Sequence, residues 1–352
     1  MIEKHNPQQY VQYPAAVERC REWLDEDSLI VTGRRAWESF CGQLKMPETS
    51  IRPQFVQHAS QREVRELVDL GRRSSSRRVL AIGGGRAIDV GKAAATLLNK
   101  PSVVVPTVFS TDAPCSSLSV LYDDNQQPAE YLDHKQNPQQ VIVDTELLKQ
   151  GPERYFRAGL VGGLSVFYEA EEIFAARRFR TANVMEGHAL MSAQWAKQRL
   201  LRLCDQFCKS RPEQLPDKSL NDVYFVCFWM TADCFEHVGI SLPHTVYRIL
   251  RGMGLADVGG YLHGELVGLG LVCQTVLCPT HRIESVRIEQ LVGQILGDVD
   301  WRGLTSIVKD QRESFVEQAG RWSINENISA PITVEALYNC VIEVSERLAT
   351  YM

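Results

Sequence analysis

The chain has 352 residues, 44% of them hydrophobic and 23% charged, and a formal net charge of −5. This is the composition of a globular protein with room for about two domains. The net charge does not point to nucleic acid or an anionic membrane as a partner. The ten cysteines show no C-x-x-C spacing, which argues against a zinc framework or a disulfide scaffold. The opening MIEKHNPQQY has no apolar signal region, and no run reaches membrane-spanning length, so a cytoplasmic protein is expected.

In chain order, residues 10–14 read as a short strand and 15–24 as an amphipathic run. SLIVT at 28–32 is a β-rich strand, followed by Gly33, Arg34 and Arg35 and a helical pattern over 36–44. A strand is expected at 51–56 and a helix at 60–70, where apolar residues recur at i, i+3 and i+4. VLAI at 79–82 then runs into Gly83, Gly84 and Gly85, and an Ala-rich helix follows. A compact strand at 101–105 ends at Pro106. Alternation of strand and helix predicts right-handed crossovers and an open parallel α/β sheet, a Rossmann-like domain.

From Phe109 the chain is rich in hydroxyl and small residues, suited to a loop around a polar ligand. Residues 130–143 read as a hairpin-like return ending in a strand at 140–143. Beyond Pro152 helical patterns dominate, most clearly at 183–207 and 334–348, with a proline-bearing loop at 211–218. The expected division is an NAD(P)-binding α/β domain over 1–153 and an all-helical domain over 154–352.

The glycine turn is the feature with the plainest chemistry. Glycine lets backbone approach a ligand closely, and the first N–H groups of a helix attract phosphate. The spacing departs from G-x-G-x-x-G, since Ile88 stands where the last glycine would fall. Three glycines before a helix also serve as an ordinary tight turn.

Six segments in fixed order resemble the glycerol dehydrogenase branch of the iron-containing alcohol dehydrogenase superfamily, which shares the dehydroquinate-synthase-like fold. They are GGGRAIDVGKA, PTVFSTDAPCSSLSVLY (106–122), NPQQVIVDTELL (137–148), AGLVGGLSVFYEA (158–170), FEHVGISLPH and HGELVGLG. The resemblance implies a cofactor cradle at Gly84, Gly85, Arg86 and Asp89. Lys92 would belong to it as well, or would pair with Asp89 one turn back. It also implies cofactor contacts from Thr107 and Ser110, and from Ser116, Leu118 and Tyr122 on the nicotinamide side. Asp112 corresponds to a residue that bonds substrate hydroxyls; a turn-capping role is the alternative. An acidic residue after the first strand would favour NAD(H). This chain has Gly33 followed by Arg34, so cofactor choice leans to NADP(H) over NAD(H).

The family's divalent metal, iron or zinc, is held by one Asp and two His. His244 and His263 match the histidines, and Gly162 stands at the aspartate position. Two neutral imidazoles alone are a poor site for either ion. His237 completing a three-histidine site, or Glu169 moving in, would restore a ligand. Without a metal, His237, His244, His263 or Tyr247 would act as the proton donor. The resulting expectation is an NAD(P)-dependent oxidoreductase acting on a small polar alcohol, ketone or aldehyde, with weak or lost metal dependence. A nucleotide-binding homologue without redox activity is the alternative. The resemblance further implies a homo-oligomer of dimer size or larger, with a small-molecule substrate and neither nucleic acid nor membrane as partner.

Overall fold

The computed structural model describes residues 6–46, 51–123, 128–177, 183–208, 214–256 and 260–351. The chain forms two compact units, Met1–Phe156 with Pro216–Ala232, and Arg157–Leu215 with Asp233–Met352.

The first unit holds strands β1 (Gln9–Tyr13), β2 (Ser28–Thr32), β3 (Gln54–Phe55), β4 (Arg78–Gly83), β5 (Ser102–Pro106), β6 (Leu118–Tyr122), β7 (Pro128–Asp133) and β8 (Gln140–Asp144). Six of them form one sheet in the order β1-β8-β5-β4-β2-β3, with every neighbouring pair parallel. The other two, β6 and β7, form a separate antiparallel pair. Helices α1 (Arg34–Leu44), α2 (Gln61–Arg73) and α3 (Gly85–Leu98) supply the crossovers.

Helices on both faces explain why these strands are apolar throughout. Ile30, Leu80 and Ile82 pack with Phe40 and Leu44 of α1 on one face. Leu29, Val31 and Val79 pack with α2 and α3 on the other. From β2 the chain crosses through α1 toward β3; from β4 it crosses through α3 the opposite way, toward β5. The carboxyl ends of β2 and β4 therefore flank a topological switch point, where ligands of open α/β sheets bind.

Two expectations are corrected here, and a third is made specific. The strand read over 51–56 is only Gln54–Phe55, because only Val31 and Thr32 of β2 offer it pairing partners. The run at 15–24 is a 3-10 helix, Ala16–Trp23, entered through Ala15 at φ 59°. A single cut after residue 153 does not describe the division, since Pro216–Ala232 packs with the first unit. Aromatic contacts account for this. The Tyr10 ring meets Phe225 and Trp229 at 5.6 and 5.4 Å, and Phe109 meets Phe156, Tyr224 and Phe228 at 5.2 to 5.4 Å.

Beyond the short α4 (Thr145–Lys149), the chain is helical. It continues through α5 (Glu153–Ala176), α6 (Val184–Phe207), α7 (Asp217–Phe225), α8 (Thr231–Val238), α9 (Leu242–Gly252) and α10 (His263–Leu277). Helices α11 (Ser285–Ile295), α12 (Trp301–Asp310), α13 (Arg312–Arg321) and α14 (Val334–Leu348) complete it. Part of the expected loop at 211–218, residues 211–213, lies outside the described residues; Asp217 and Lys218 already belong to α7. Asn183 and Glu186 form a capping box that starts α6. Among the described residues no single helix is long and apolar enough to cross a membrane.

Candidate active site

In the first unit the glycine turn closes β4 and opens α3. Gly83 adopts φ 151°, a conformation that side chains disfavour. A Cβ on Gly84 would lie 3.1 Å from Val108 Cγ2, and one on Gly85 would lie 3.3 Å from Thr111 Oγ1. The turn thus nestles against the loop after β5, whose Thr107 N–H donates to the Gly83 carbonyl at 3.1 Å. The exposed Arg86 occupies the first turn of α3, and Ser110 is half-buried in the neighbouring loop. Gly91 supplies what Ile88 lacks: a Cβ there would stand 2.5 Å from Ala81 Cβ, so only glycine lets α3 lie this close to β4. Neither Gly91 nor Thr111 was identifiable from motif spacing alone.

Lys92 does not reach outward. It is 2% exposed, and its ammonium donates to the carbonyls of Ala113, Ser116 and Leu118 at 2.8, 3.1 and 2.6 Å and to Ser116 Oγ at 3.2 Å. Asp89 Oδ1 lies 3.4 Å from the same ammonium. Acceptors outnumber its three donors, so direct cofactor contact is replaced by a positioning role: Lys92 pins the hydroxyl loop to α3. Asp89 also accepts from the Val120 N–H at 3.4 Å; burial pushes its carboxyl up to about 6 despite Lys92. Ser116 is buried, and Leu118 offers its carbonyl to Lys92. Tyr122 packs at the edge of the second core. The Asp112 carbonyl accepts from Cys115 and Ser116 N–H at 3.0 and 3.3 Å, the geometry of a turn. His134 ties this hairpin to α3 through hydrogen bonds with Thr96 and Ser119 at 2.8 and 2.7 Å. At the end of β2, a Cβ on Gly33 would meet no atom within 4 Å, and Arg34 stacks on the Phe55 ring.

In the second unit, the motif glycines are contact points between helices. A Cβ on Gly264 would strike the Ala158 carbonyl, one on Gly268 would lie 2.6 Å from Val161 Cγ1, and one on Gly270 would lie 2.6 Å from the Pro243 carbonyl. They draw α10 against α5 and α9. Gly162 faces Gly264, with 3.5 Å between a built Cβ and the Gly264 Cα, an ordinary contact distance.

This packing assembles a cluster around His263. The rings of His244 and His263 are 5.3 Å apart, and Tyr247 meets His263 edge-on at 4.3 Å. His244 and Tyr247 stand three residues apart on α9, and Arg251 Nη1 donates to Tyr247 Oη at 3.3 Å. Glu169, fully buried, lies 2.7 Å from His244 Nδ1 and also accepts from the N–H groups of Ser241 and His244 at 2.8 and 3.2 Å. Because Glu169 accepts from two backbone N–H groups, the shared proton is assigned to His244 Nδ1, which leaves Nε2 as the other ring nitrogen. Burial, then the neighbouring His244 and Arg251, push the His263 pKa well below the usual imidazole value. His237 Nδ1 donates to the Asp233 carbonyl of its own helix at 2.8 Å. Among the described residues no three His, Cys, Asp or Glu side chains form a metal-binding group, so the three-histidine arrangement is not formed.

Comparison with known proteins agrees with this architecture. The family model for iron-containing alcohol dehydrogenase matches residues 7–145. The chain is 34% identical to a glycerol dehydrogenase of Thermotoga maritima over 213 residues, which cover 59% of this chain and 57% of that one. The match therefore spans less than two thirds of that relative's length. A glycerol dehydrogenase of Pseudomonas putida is 27% identical, with 96% of this chain and 95% of that one covered. A crystal structure of a probable glycerol dehydrogenase from Sinorhizobium meliloti superposes with a TM-score of 0.81 at 22% identity, over 99% of this chain and all of that one. The first unit thus matches the iron-containing alcohol dehydrogenase family model, and the chain is similar in sequence and fold to glycerol dehydrogenases.

Proposed function

We propose that the protein is an alcohol dehydrogenase or carbonyl reductase that uses NADP(H) in preference to NAD(H), acts on a small polar substrate, and manages the substrate oxygen with a histidine instead of a metal ion. The observation that carries this reading is His244, oriented by the buried Glu169 carboxylate at 2.7 Å so that Nε2 is its working atom. His263, Tyr247 and Arg251 join it; no carboxylate stands at 162.

The nucleotide fits the first unit: side chains at Gly84 or Gly85 would crowd Val108 or Thr111 and fill the turn at the head of α3. The amide groups of that helix end would hold the pyrophosphate, with Thr107, Ser110 and Thr111 beside them. Bound NADP(H) supplies or takes up the hydride.

The family's metal does not fit the second unit. Two imidazoles with no carboxylate give too few ligands and no compensating charge. Glu169 cannot replace the missing ligand, because its carboxylate already accepts from His244 Nδ1 and from two backbone N–H groups. In the reducing direction His244 Nε2 gives a proton to the carbonyl oxygen, and in the oxidising direction it takes one from the hydroxyl. Glu169 keeps the ring oriented in both directions and stabilises its charged form.

The test is His244→Gln, assayed for nucleotide binding and for turnover on polyols, hydroxyaldehydes and hydroxy acids. Loss of a positioned acid–base group lowers kcat by about 10²- to 10⁴-fold while nucleotide affinity stays within a few-fold. Wild-type protein that binds nucleotide but turns over none of these substrates would refute redox activity and favour the non-catalytic reading.

A further inference from the structure

Arg34 and Arg35 open α1, and the first turn of that helix holds no acidic residue. Cations at the amino end of a helix oppose its dipole, so their placement runs against local preference. Local rules of this kind are broken chiefly at functional or strained sites. Arg34 makes no ion pair among the described residues. What it does touch is aromatic: its guanidinium carbon sits 4.8 Å from the centre of the Phe55 ring. Phe55 is 41% exposed and belongs to neither core of the sheet, so burial does not explain an aromatic there.

The sheet register makes this contact. Thr32, the last residue of β2, is paired with Phe55, and the chain leaves β2 through Gly33 straight into Arg34. Strand β2 is also the neighbour of β4, with Thr32 opposite Ile82 beside the glycine turn. The arginine–phenylalanine pair therefore stands at the carboxyl edge of β2 and β3, one strand to the side of the switch point between β2 and β4 that the glycine turn borders. Space beside Gly33 is open.

We propose that Phe55 is a positioning residue that holds Arg34 as the reader of the 2′-phosphate on the adenosine ribose, so that the pair sets the preference for NADP(H). This rests on the nucleotide reading given above. A free arginine side chain samples many rotamers. A guanidinium laid on an aromatic face keeps its plane and leaves its N–H edge pointing outward, where it can grip two phosphate oxygens at once. Arg35, one residue on, projects about 100° around the helix and does not share that face.

The experiment measures dissociation constants of NADPH, NADH and 2′,5′-ADP by fluorescence titration and calorimetry for wild type, Phe55→Ala, Arg34→Gln and the double variant, with inorganic phosphate as a competitor. Wild type binds NADPH more tightly than NADH. Arg34→Gln lowers that ratio by about 10- to 150-fold. Phe55→Ala lowers it by about 2- to 5-fold, and adds nothing once Arg34 is gone. Displacement of NADPH by 2′,5′-ADP, with inorganic phosphate much weaker, assigns the phosphate to the adenosine end. Parallel weakening of NADPH and NADH, or additive effects in the double variant, overturns the role of Phe55 alone. A wild type that prefers NADH overturns the NADP(H) reading itself.

Discussion

The approach of α3 to β4 through Gly91 lends itself to a quantitative test, with Gly42 as its control. Both glycines lie inside helices of the first unit, and replacing either by alanine gains the same helix propensity, about 1 kcal/mol. Their surroundings differ. A Cβ at Gly42 meets nothing within 4 Å, whereas one at Gly91 would stand 2.5 Å from Ala81 Cβ and 3.4 Å from Ala81 Cα. Ala81 is fully buried within β4 and has no flexible end to move aside. Relief requires about 1 Å of separation between helix and sheet, and overpacking of this kind costs about 1–3 kcal/mol, toward the upper end for a backbone-borne clash. Gly42→Ala should therefore stabilise by about 0.5–1 kcal/mol, and Gly91→Ala should destabilise by about 2 kcal/mol net. Since the propensity contribution is common to both, their difference of about 3 kcal/mol reads the packing alone. Urea unfolding followed by circular dichroism measures it, and nucleotide titration adds that Gly91→Ala weakens binding because the head of α3 moves. A Gly91→Ala protein as stable as Gly42→Ala would refute the close-approach argument.

Three further perturbations address the positioning network and the second-unit cluster. Lys92→Met removes a buried cation from Asp89 and from the carbonyls of the hydroxyl loop, and should cost about 3–5 kcal/mol in urea unfolding; a loss under 1 kcal/mol would contradict its pinning role. His134, held down to about 3 mainly by burial, is neutral in the fold but binds a proton in the unfolded chain below about 6.5. Its contribution is complete above that pH and falls as pH drops toward 3; Asp89, raised to about 6, acts oppositely between about 3.8 and 6. His134→Gln should flatten the acid-side fall in the urea midpoint between pH 6.5 and 4.5, and an unchanged slope would exclude His134 as its source. Gly162→Asp, whose Cβ would lie at an ordinary 3.5 Å from Gly264 Cα, should raise zinc affinity at least tenfold by calorimetry; unchanged affinity would show that the histidines are not arranged for a metal.

Much of the sheet could be read in advance because parallel strands covered on both faces are uninterrupted apolar runs. SLIVT and VLAI declare themselves without partners. Elements that depend on distant contacts did not. Whether residues 51–56 form a strand depends on how far β2 extends to pair with them. The place of 216–232 in the first unit depends on rings of Tyr10 and Phe109 more than a hundred residues away. The same distinction runs through the site. His244 and His263 were singled out by the family resemblance, but the hydrogen bond that His244 Nδ1 donates to Glu169 joins residues 75 apart in sequence. For Lys92 the resemblance implied a cofactor role, with pairing to Asp89 as the alternative; the Asp89 pair is present, and only the fold of the hydroxyl loop shows where its donors go.

Metal dependence is the sharpest point of contact with experiment. The measurement is NADPH oxidation with glycolaldehyde and dihydroxyacetone, followed at 340 nm before and after exhaustive chelation, with metal content determined on the same samples. Histidine-based proton transfer predicts turnover that survives chelation in protein holding far less than one metal ion per chain. Stoichiometric zinc or iron, with activity lost on chelation and restored by adding that metal, would contradict it.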